Sequence, residues 1–253
     1  MSISKNKIKY LQSLKLKKQR DIHGTFVAEG EKLVSELLNF CKCQYIAGLP
    51  HVVENIKSNY EIEEIVVATE QELKKASHLK TSSPVIAVFY QLQVNIDDIN
   101  FDNNLHLVLD GIQDPGNMGT IVRLADWFGI QNIICSEDTV DIFNPKTVQA
   151  TMGAVARVNV IYTNLPMFLE KHNTLPVYGT FLEGNNIYEE ALSNSGFIVM
   201  GNEGQGVTKE VESLVTSKLY IPSFAAGGES SESLNVAVAT AIVCSEFRRR
   251  GRV

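Results

Sequence analysis

The stretch that decides the fold is LHLVLDGIQDPGNMGTIVRLADWFGI, Leu105 to Ile130. It opens on an apolar run, Leu105 to Leu109, that reads as a buried strand. Asp110-Gly111-Ile112-Gln113-Asp114-Pro115-Gly116 follows, a tight polar loop of turn-forming residues. Asn117 then stands where a helix N-cap is expected. Ile121, Leu124, Ala125 and Phe128 recur at i, i+3, i+4 and i+7, which is one face of a helix. Arg123 lies off that face, about 9 Å along the axis from Asn117 at the rise of an α-helix. A loop between a strand end and a helix start is where open α/β sheets bind ligands. The same residues also allow a plainer reading, in which Asn117 only caps the helix and Arg123 only pairs with Asp126.

Working outward, the chain has 253 residues, enough for one large or two modest domains. Its 44% hydrophobic and 21% charged content is ordinary for a soluble globular protein. No apolar run approaches the ~20 residues of a membrane span, and MSISKNKIKY has no apolar core of a signal peptide. Cys41, Cys43, Cys135 and Cys244 make no disulfide framework. Cys41-Lys42-Cys43 has no second pair that would complete a zinc site. Reduced thiols in a cytoplasm are the expectation.

The net charge of −6 argues against a nucleic-acid partner, but its distribution does not. Residues 1–20 hold Lys5, Lys7, Lys9, Lys15, Lys17, Lys18 and Arg20 and no acid, and the C-terminus reads Arg248-Arg249-Arg250-Gly251-Arg252. Phosphate binding needs a local basic surface rather than a basic average. A solvated helix face and a cation-favouring helix end explain the same runs.

Residues 3–20 are expected to form one amphipathic helix with a basic side. Strands are expected at 25–30, 43–47, 64–68 and 84–91, and helices at 31–40, 51–59 and from Thr69, whose capping box is completed by Glu72. That alternation describes a small α/β domain. His23, His51 and His78 stand alone and read as structural or exposed. Residues 92–104 are polar and acidic without a period, and read as a linker.

Beyond the opening stretch, strands are expected at 132–135, 155–162 and 176–182, and helices at 146–152, with Pro145 at N1, and at 166–173. Gly196 to Met200 is a short buried strand, followed by Gly201-Asn202-Glu203-Gly204-Gln205-Gly206, with Thr208 capping a helix through Val215. Glycines there let the backbone approach a ligand closely. Their spacing is neither the dinucleotide fingerprint nor a P-loop, which disfavours a nucleotide-dependent α/β enzyme. Leu219 to Pro222 is a strand leading into SFAAGGESSE. Ser233 is the natural N-cap of a last helix that is apolar nearly all round to Phe247.

Three loops taken together, DGIQDPGNMGTIVRLAD, IVMGNEGQGV and IP…ESLNVAVA, resemble in sequence and order the three motifs of the SpoU-type (TrmH-like) RNA 2′-O-ribose methyltransferases of the SPOUT superfamily. NPKTVQATMGAVARV also resembles the family. SKNKIKYLQSLKLKKQR…GTFVAEGEKLV resembles its RNA substrate-binding domain, so the resemblance covers nearly the whole chain. It implies an N-terminal α/β substrate-binding domain at 1–92, a linker at 93–104 and a methyltransferase domain at 105–253. The last would be a parallel-sheet α/β domain closed by a deep trefoil knot, a feature no periodicity could suggest. It implies S-adenosylmethionine bound in bent form by backbone around Thr180, Gly201, Ile221 and Leu234. Asn117, Arg123, Glu203, Ser233 and Asn235 would be the functional polar residues, in a homodimer with the site near the subunit interface. Lys5 to Arg20 would then contact RNA, with neither a metal nor a membrane involved; the two-domain layout favours ribosomal RNA, with transfer RNA the alternative.

The resemblance offers Arg123 as the base, whereas arginine chemistry favours a bidentate grip on phosphate; both roles stay open. One departure stands out. Ser223 to Ser231 is longer than the family's usual connection. A non-catalytic RNA-binding or ribosome-assembly protein of the same fold is the rival reading, and its sign would be a damaged motif.

Overall fold

Short continuous runs of Val, Ile, Leu and Phe, rather than strict alternation, mark strands covered on both faces. In the computed structural model, which describes residues 2–224 and 233–250, these runs become the strands of two sheets. In chain order the elements are α1 (Lys5–Ser13), α2 (Lys17–His23), β1 (Thr25–Glu29), α3 (Glu31–Leu38), β2 (Cys43–Gly48), α4 (Pro50–Lys57), β3 (Glu64–Val67), α5 (Glu70–Ala76) and β4 (Val85–Tyr90). There follow β5 (Leu105–Asp110), α6 (Pro115–Trp127), β6 (Asn132–Cys135), α7 (Pro145–Thr151), β7 (Asn159–Tyr162), α8 (Leu165–Lys171) and β8 (Val177–Asn186). The last are β9 (Gly196–Gly201), α9 (Lys209–Glu212), β10 (Ser217–Tyr220) and α10 (Val236–Arg250). Internal contacts group Met1–Gln93 with Asp141–Arg157 as one unit, and Val94–Val140 with Val158–Val253 as the other.

The first unit carries a mixed sheet, β1-β4-β2-β3, with β4 antiparallel to both β1 and β2, and β2 parallel to β3. Its core includes Leu11, Leu14, Tyr45, Leu73, Ile86 and Val88, and each such buried side chain contributes roughly 1.5–3 kcal/mol. The Thr69–Glu72 capping box is formed as expected. The single helix expected over 3–20 is instead α1 and α2, broken where Leu16 is extended. Arg20 explains the break. Its guanidinium donates to the carbonyls of Leu14 and Lys15 (2.8 and 2.9 Å), groups a helix end leaves unpaired, and to Asp141 Oδ2 through Nε (3.0 Å) and Nη2. Arg20 is 2% exposed and cannot belong to the basic RNA face expected of it. Residues 141–157 complete this unit. Phe143 stacks on Phe26 at 4.9 Å, Arg157 pairs with Glu36 at 2.5 Å, and a Cβ on Gly153 would fall 2.4 Å from Glu36 Cγ.

The second unit is a six-stranded parallel sheet, β10-β8-β9-β5-β6-β7. The chain steps from β5 to β6 to β7, then lays β8 and β9 on the other side of β5. That reversal opens a crevice at the C-terminal ends of β5 and β9. The stretch expected as a plain linker contributes buried Phe101, with Ile96 and Ile99 packed on the core of this unit beside Phe168 and Phe197. The strand expected from Val155 begins only at Asn159, after a single 3-10 turn at Ala154–Ala156.

Helix α10 buries one face, including Val236, Thr240, Val243 and Phe247, and leaves apolar Val238 exposed. Its basic end is structural. Arg248 caps the carbonyls of Phe128 and Gly129 (2.7 and 3.0 Å) at the end of α6, and Arg250 donates to the carbonyls of Tyr188 and Glu190. Glu246, buried, binds Arg249 and Arg250. Gly251, Arg252 and most of the lengthened 223–231 connection lie outside the described residues.

Candidate functional site

Helix α6 begins three residues earlier than the sequence suggested. Asp114 is its N-cap, accepting the Asn117 N–H at 2.8 Å, and Pro115 takes the first helical position. Asn117 is therefore not the cap, and its side chain is released for other work. The same substitution of roles occurs at α10. Asn235 Oδ1 accepts the N–H groups of Ala237 and Val238 (3.0 and 3.3 Å), so Asn235, not Ser233, does the capping.

Three motif loops meet through these side chains. Asn117 Nδ2 donates to Glu203 Oε1 at 2.6 Å, and Asn235 Nδ2 donates to Asn117 Oδ1 at 3.0 Å. The amide orientations follow from the two ends of the relay. Asn235 Oδ1 is taken by backbone N–H groups and Glu203 can only accept, so each amide has one direction. One N–H on each amide and the second Glu203 oxygen have no partner within the relay. Asn235 and Glu203 are exposed and Asn117 half-buried, so the cluster lies open to a large substrate.

Around it, the loops are tied down. Asp110, buried at the end of β5, accepts both the N–H and the hydroxyl of Thr208 (2.7 and 2.8 Å). That occupies the hydroxyl expected to cap a helix, and α9 is correspondingly short, ending at Glu212. Ser136 Oγ receives the Gly111 N–H at 2.9 Å. Asn202 donates to the Gly111 carbonyl at 2.6 Å. None of Asp110, Asp114, Ser136 and Asn202 was singled out from sequence. Only Asp114-Pro115 carried a readable signal, the cap followed by proline at N1.

The expected cofactor positions fall on β8, at the end of β9, just after β10 and just before α10. A Cβ on Gly201 would lie 2.4 Å from Gly206 C and 2.5 Å from Val207 N, so only glycine permits this approach. Thr180 donates to the Val199 carbonyl at 3.2 Å and begins the excursion that separates Gly179 from Asn185 opposite β10. Ile221 directly follows β10, and Leu234, exposed, lies just before α10. Donors and acceptors on main chain at strand ends suit a polar adenosine and amino-acid ligand.

Arg123 is exposed on α6, and its guanidinium makes no hydrogen bond or ion pair among the described residues. It is thus not joined to the Asn117 relay. Ser233 is exposed. Of the N-terminal cations, Lys5, Lys9, Lys15, Lys17 and Lys18 are exposed. Lys7 is committed to Glu64 at 2.6 Å, with its ammonium 4.1 Å from the Tyr45 ring centre.

Residues 104–245 match the model of the SpoU rRNA Methylase family. The chain belongs to this family. All three motif loops fall within the matched segment, and residues 5–87 match the MRM3-like substrate binding domain. Among its SpoU relatives, the chain is 30% identical to the 23S rRNA (guanosine(2553)-2′-O)-methyltransferase RlmP of Bacillus subtilis, over 98% of each protein. A solved structure of a candidate RNA methyltransferase of the TrmH family from Porphyromonas gingivalis is 41% identical over 98% of each chain, with a TM-score of 0.86. The AdoMet-bound rRNA methyltransferase of Sinorhizobium meliloti is 28% identical over 99% of this chain and 98% of its own, with a TM-score of 0.85.

Proposed function

We propose that this SpoU-family enzyme transfers a methyl group from S-adenosylmethionine to a ribose 2′-hydroxyl of ribosomal RNA. The observation that carries the reading is the relay from Asn235 through Asn117 to Glu203, which brings the three family motifs to one crevice. Bound there, S-adenosylmethionine would supply an activated methyl group on a sulfonium, and its backbone contacts would come from Thr180, Gly201, Ile221 and Leu234. The chain's own residues must then align the ribose oxygen and accept or pass on its proton. Asn117 and Asn235 each retain an N–H to orient the ribose. Glu203 fixes the relay and would offset the positive charge of a bound sulfonium. Arg123 is the residue for the phosphate beside the target ribose, or for its proton. Its exposure on α6 suits contact with a bound RNA or with the crevice of a second protomer. Ser233 joins the site where the last motif enters it.

RNA is engaged, in this reading, by Lys5, Lys9, Lys15, Lys17 and Lys18 of the first unit. The enzyme acts as a homodimer through its C-terminal part. Trp127 at the end of α6, 84% exposed, and Leu234 and Val238 at the start of α10 are the apolar groups a second copy would cover. The C-terminal segment is threaded as a trefoil knot, and the protein works in the cytoplasm. No described helix is long and apolar enough to cross a membrane.

The test has two parts. Calorimetric titration with S-adenosylmethionine is expected to show binding, and ribose-methylation maps of ribosomal RNA from cells with and without the protein should differ at one nucleotide. Binding without any lost methylation would favour a non-catalytic RNA-binding role. A missing methyl group on transfer RNA would move the substrate.

A further inference from the structure

The loop that carries Glu203 is held from inside by the residue before it. Asn202 and Gly206 exchange both backbone hydrogen bonds, each 2.9 Å, which closes residues 202–206 on the end of β9. Within the loop, Asn202 Oδ1 accepts the N–H groups of Gly204 and Gln205 (2.9 and 3.0 Å). Its amide nitrogen turns the other way and donates to the Gly111 carbonyl at 2.6 Å. Since the oxygen already serves two backbone donors, the amide has no second orientation. Gly111 is itself fixed, with its N–H on Ser136 Oγ at 2.9 Å and its φ at +72°, where a side chain would be strained. The far end of the loop is pinned where Thr208 meets Asp110.

We propose that Asn202 is a positioning residue that sets the Glu203 carboxylate against Asn117 by joining the β9 loop to the β5 loop. One side chain spans the crevice immediately beside the residue that has to reach across it. A loop closed only upon itself would still carry Glu203, but the 2.6 Å contact with Asn117 would be one conformer among several. The consequence for rate rests on the methyltransferase reading; the geometric role does not.

Two variants separate this role from mere shaping of a turn. Asn202→Asp keeps the oxygen that serves Gly204 and Gln205, and turns the donor to Gly111 into an oxygen facing a carbonyl. Asn202→Ala removes both. Asn202→Asp is expected to lower kcat about 10- to 100-fold with KM for S-adenosylmethionine within about threefold, since only an aligned carboxylate is lost. Combined with Glu203→Gln it should be no slower than Glu203→Gln alone, because the misplaced group is already gone. In the cofactor-free protein, the Asn117 side-chain amide resonance should move in Asn202→Asp as it does in Glu203→Gln. Amide exchange at Gly204 and Gln205 should stay slow in Asn202→Asp and quicken in Asn202→Ala. Losses that multiply in the double variant, or an unmoved Asn117 resonance, overturn the proposal. If Asn202→Asp does not fold, Asn202→Ser, too short to span to Gly111, replaces it with the same expectations for the rate and for the Asn117 resonance. A wild-type protein that methylates no RNA would count against the functional reading alone, and the Asn117 resonance would still decide the role of Asn202.

Discussion

Asn117 shows how one residue's job depends on its neighbour. Because Asp114 caps α6, the Asn117 amide is free to bridge Asn235 and Glu203. Asn117→Ala is expected to lower kcat about 10²-fold, the scale of losing a charge-assisted hydrogen bond and its alignment, with little change in melting temperature. Asn117→Asp should be worse, since it sets a carboxylate against Glu203. Steady-state kinetics with melting curves would check both, and a fall in stability matching the fall in rate would contradict them. His106 is the counterpart in the core. Asn132 Nδ2 faces its Nδ1 at 3.3 Å and the Phe101 carbonyl lies 3.0 Å from its Nε2, an arrangement that suits the neutral ring with the proton on Nε2. Burial holds its pKa below the ordinary 6.5, so the unfolded chain takes up the proton first. Stability from this group is full above pH 6.5 and falls as the pH drops below it. The melting temperature should therefore fall from pH 7 to pH 5, and less steeply in His106→Gln.

At the scale of elements, most strands and helices were legible, and the failures have physical causes. β5, β9 and β4 are apolar runs that declare themselves, and Thr69-x-x-Glu72 caps α5 as written. The break between α1 and α2 was not legible, because it depends on Arg20 meeting Asp141, far along the chain. The helix starts were misread at Asn117 and Ser233 because Asp, Asn and Ser all cap, and local sequence does not rank them when several stand in a row. Asn202 was invisible for a similar reason: its partner, Gly111, lies in another motif. The arginines ending α10 looked like a phosphate surface and proved to be clamps. Arg250→Ala should cost about 1–3 kcal/mol, since it strands the carbonyls of Tyr188 and Glu190 and leaves Glu246 with one partner. Glu246 is held at about 2 rather than 4.5, first by its hydrogen bond to Arg249, which with the added pull of Arg250 outweighs the opposing effect of burial. Its contribution is complete above pH 4.5 and lost as the pH falls toward 2. Acid-unfolding curves of Glu246→Gln should lack that component, and a curve identical to wild type would contradict the assignment.

For the whole molecule, an acidic protein with a net charge of −6 must bind RNA through a local surface. Lys15 and Lys18, exposed about α2, are better placed for this than Lys7 or Arg20, whose charges are spent on Glu64 and Asp141. Charge reversal at Lys15 and Lys18 should weaken RNA binding and flatten its dependence on salt by about one to two units of slope, one for each phosphate no longer neutralised. Filter-binding isotherms across a salt series would measure it, and an unchanged slope would place the RNA elsewhere. Sequence motifs alone identified the family, whereas the tie between the motifs became visible only in three dimensions. The measurement that bears most directly on that tie is methyl transfer from labelled S-adenosylmethionine to ribosomal RNA, followed by nucleoside analysis, for wild type and Asn117→Ala. The label should appear as one 2′-O-methylated nucleoside, formed about 10²-fold more slowly by the variant. Label on a base, or equal rates for the two proteins, would contradict it.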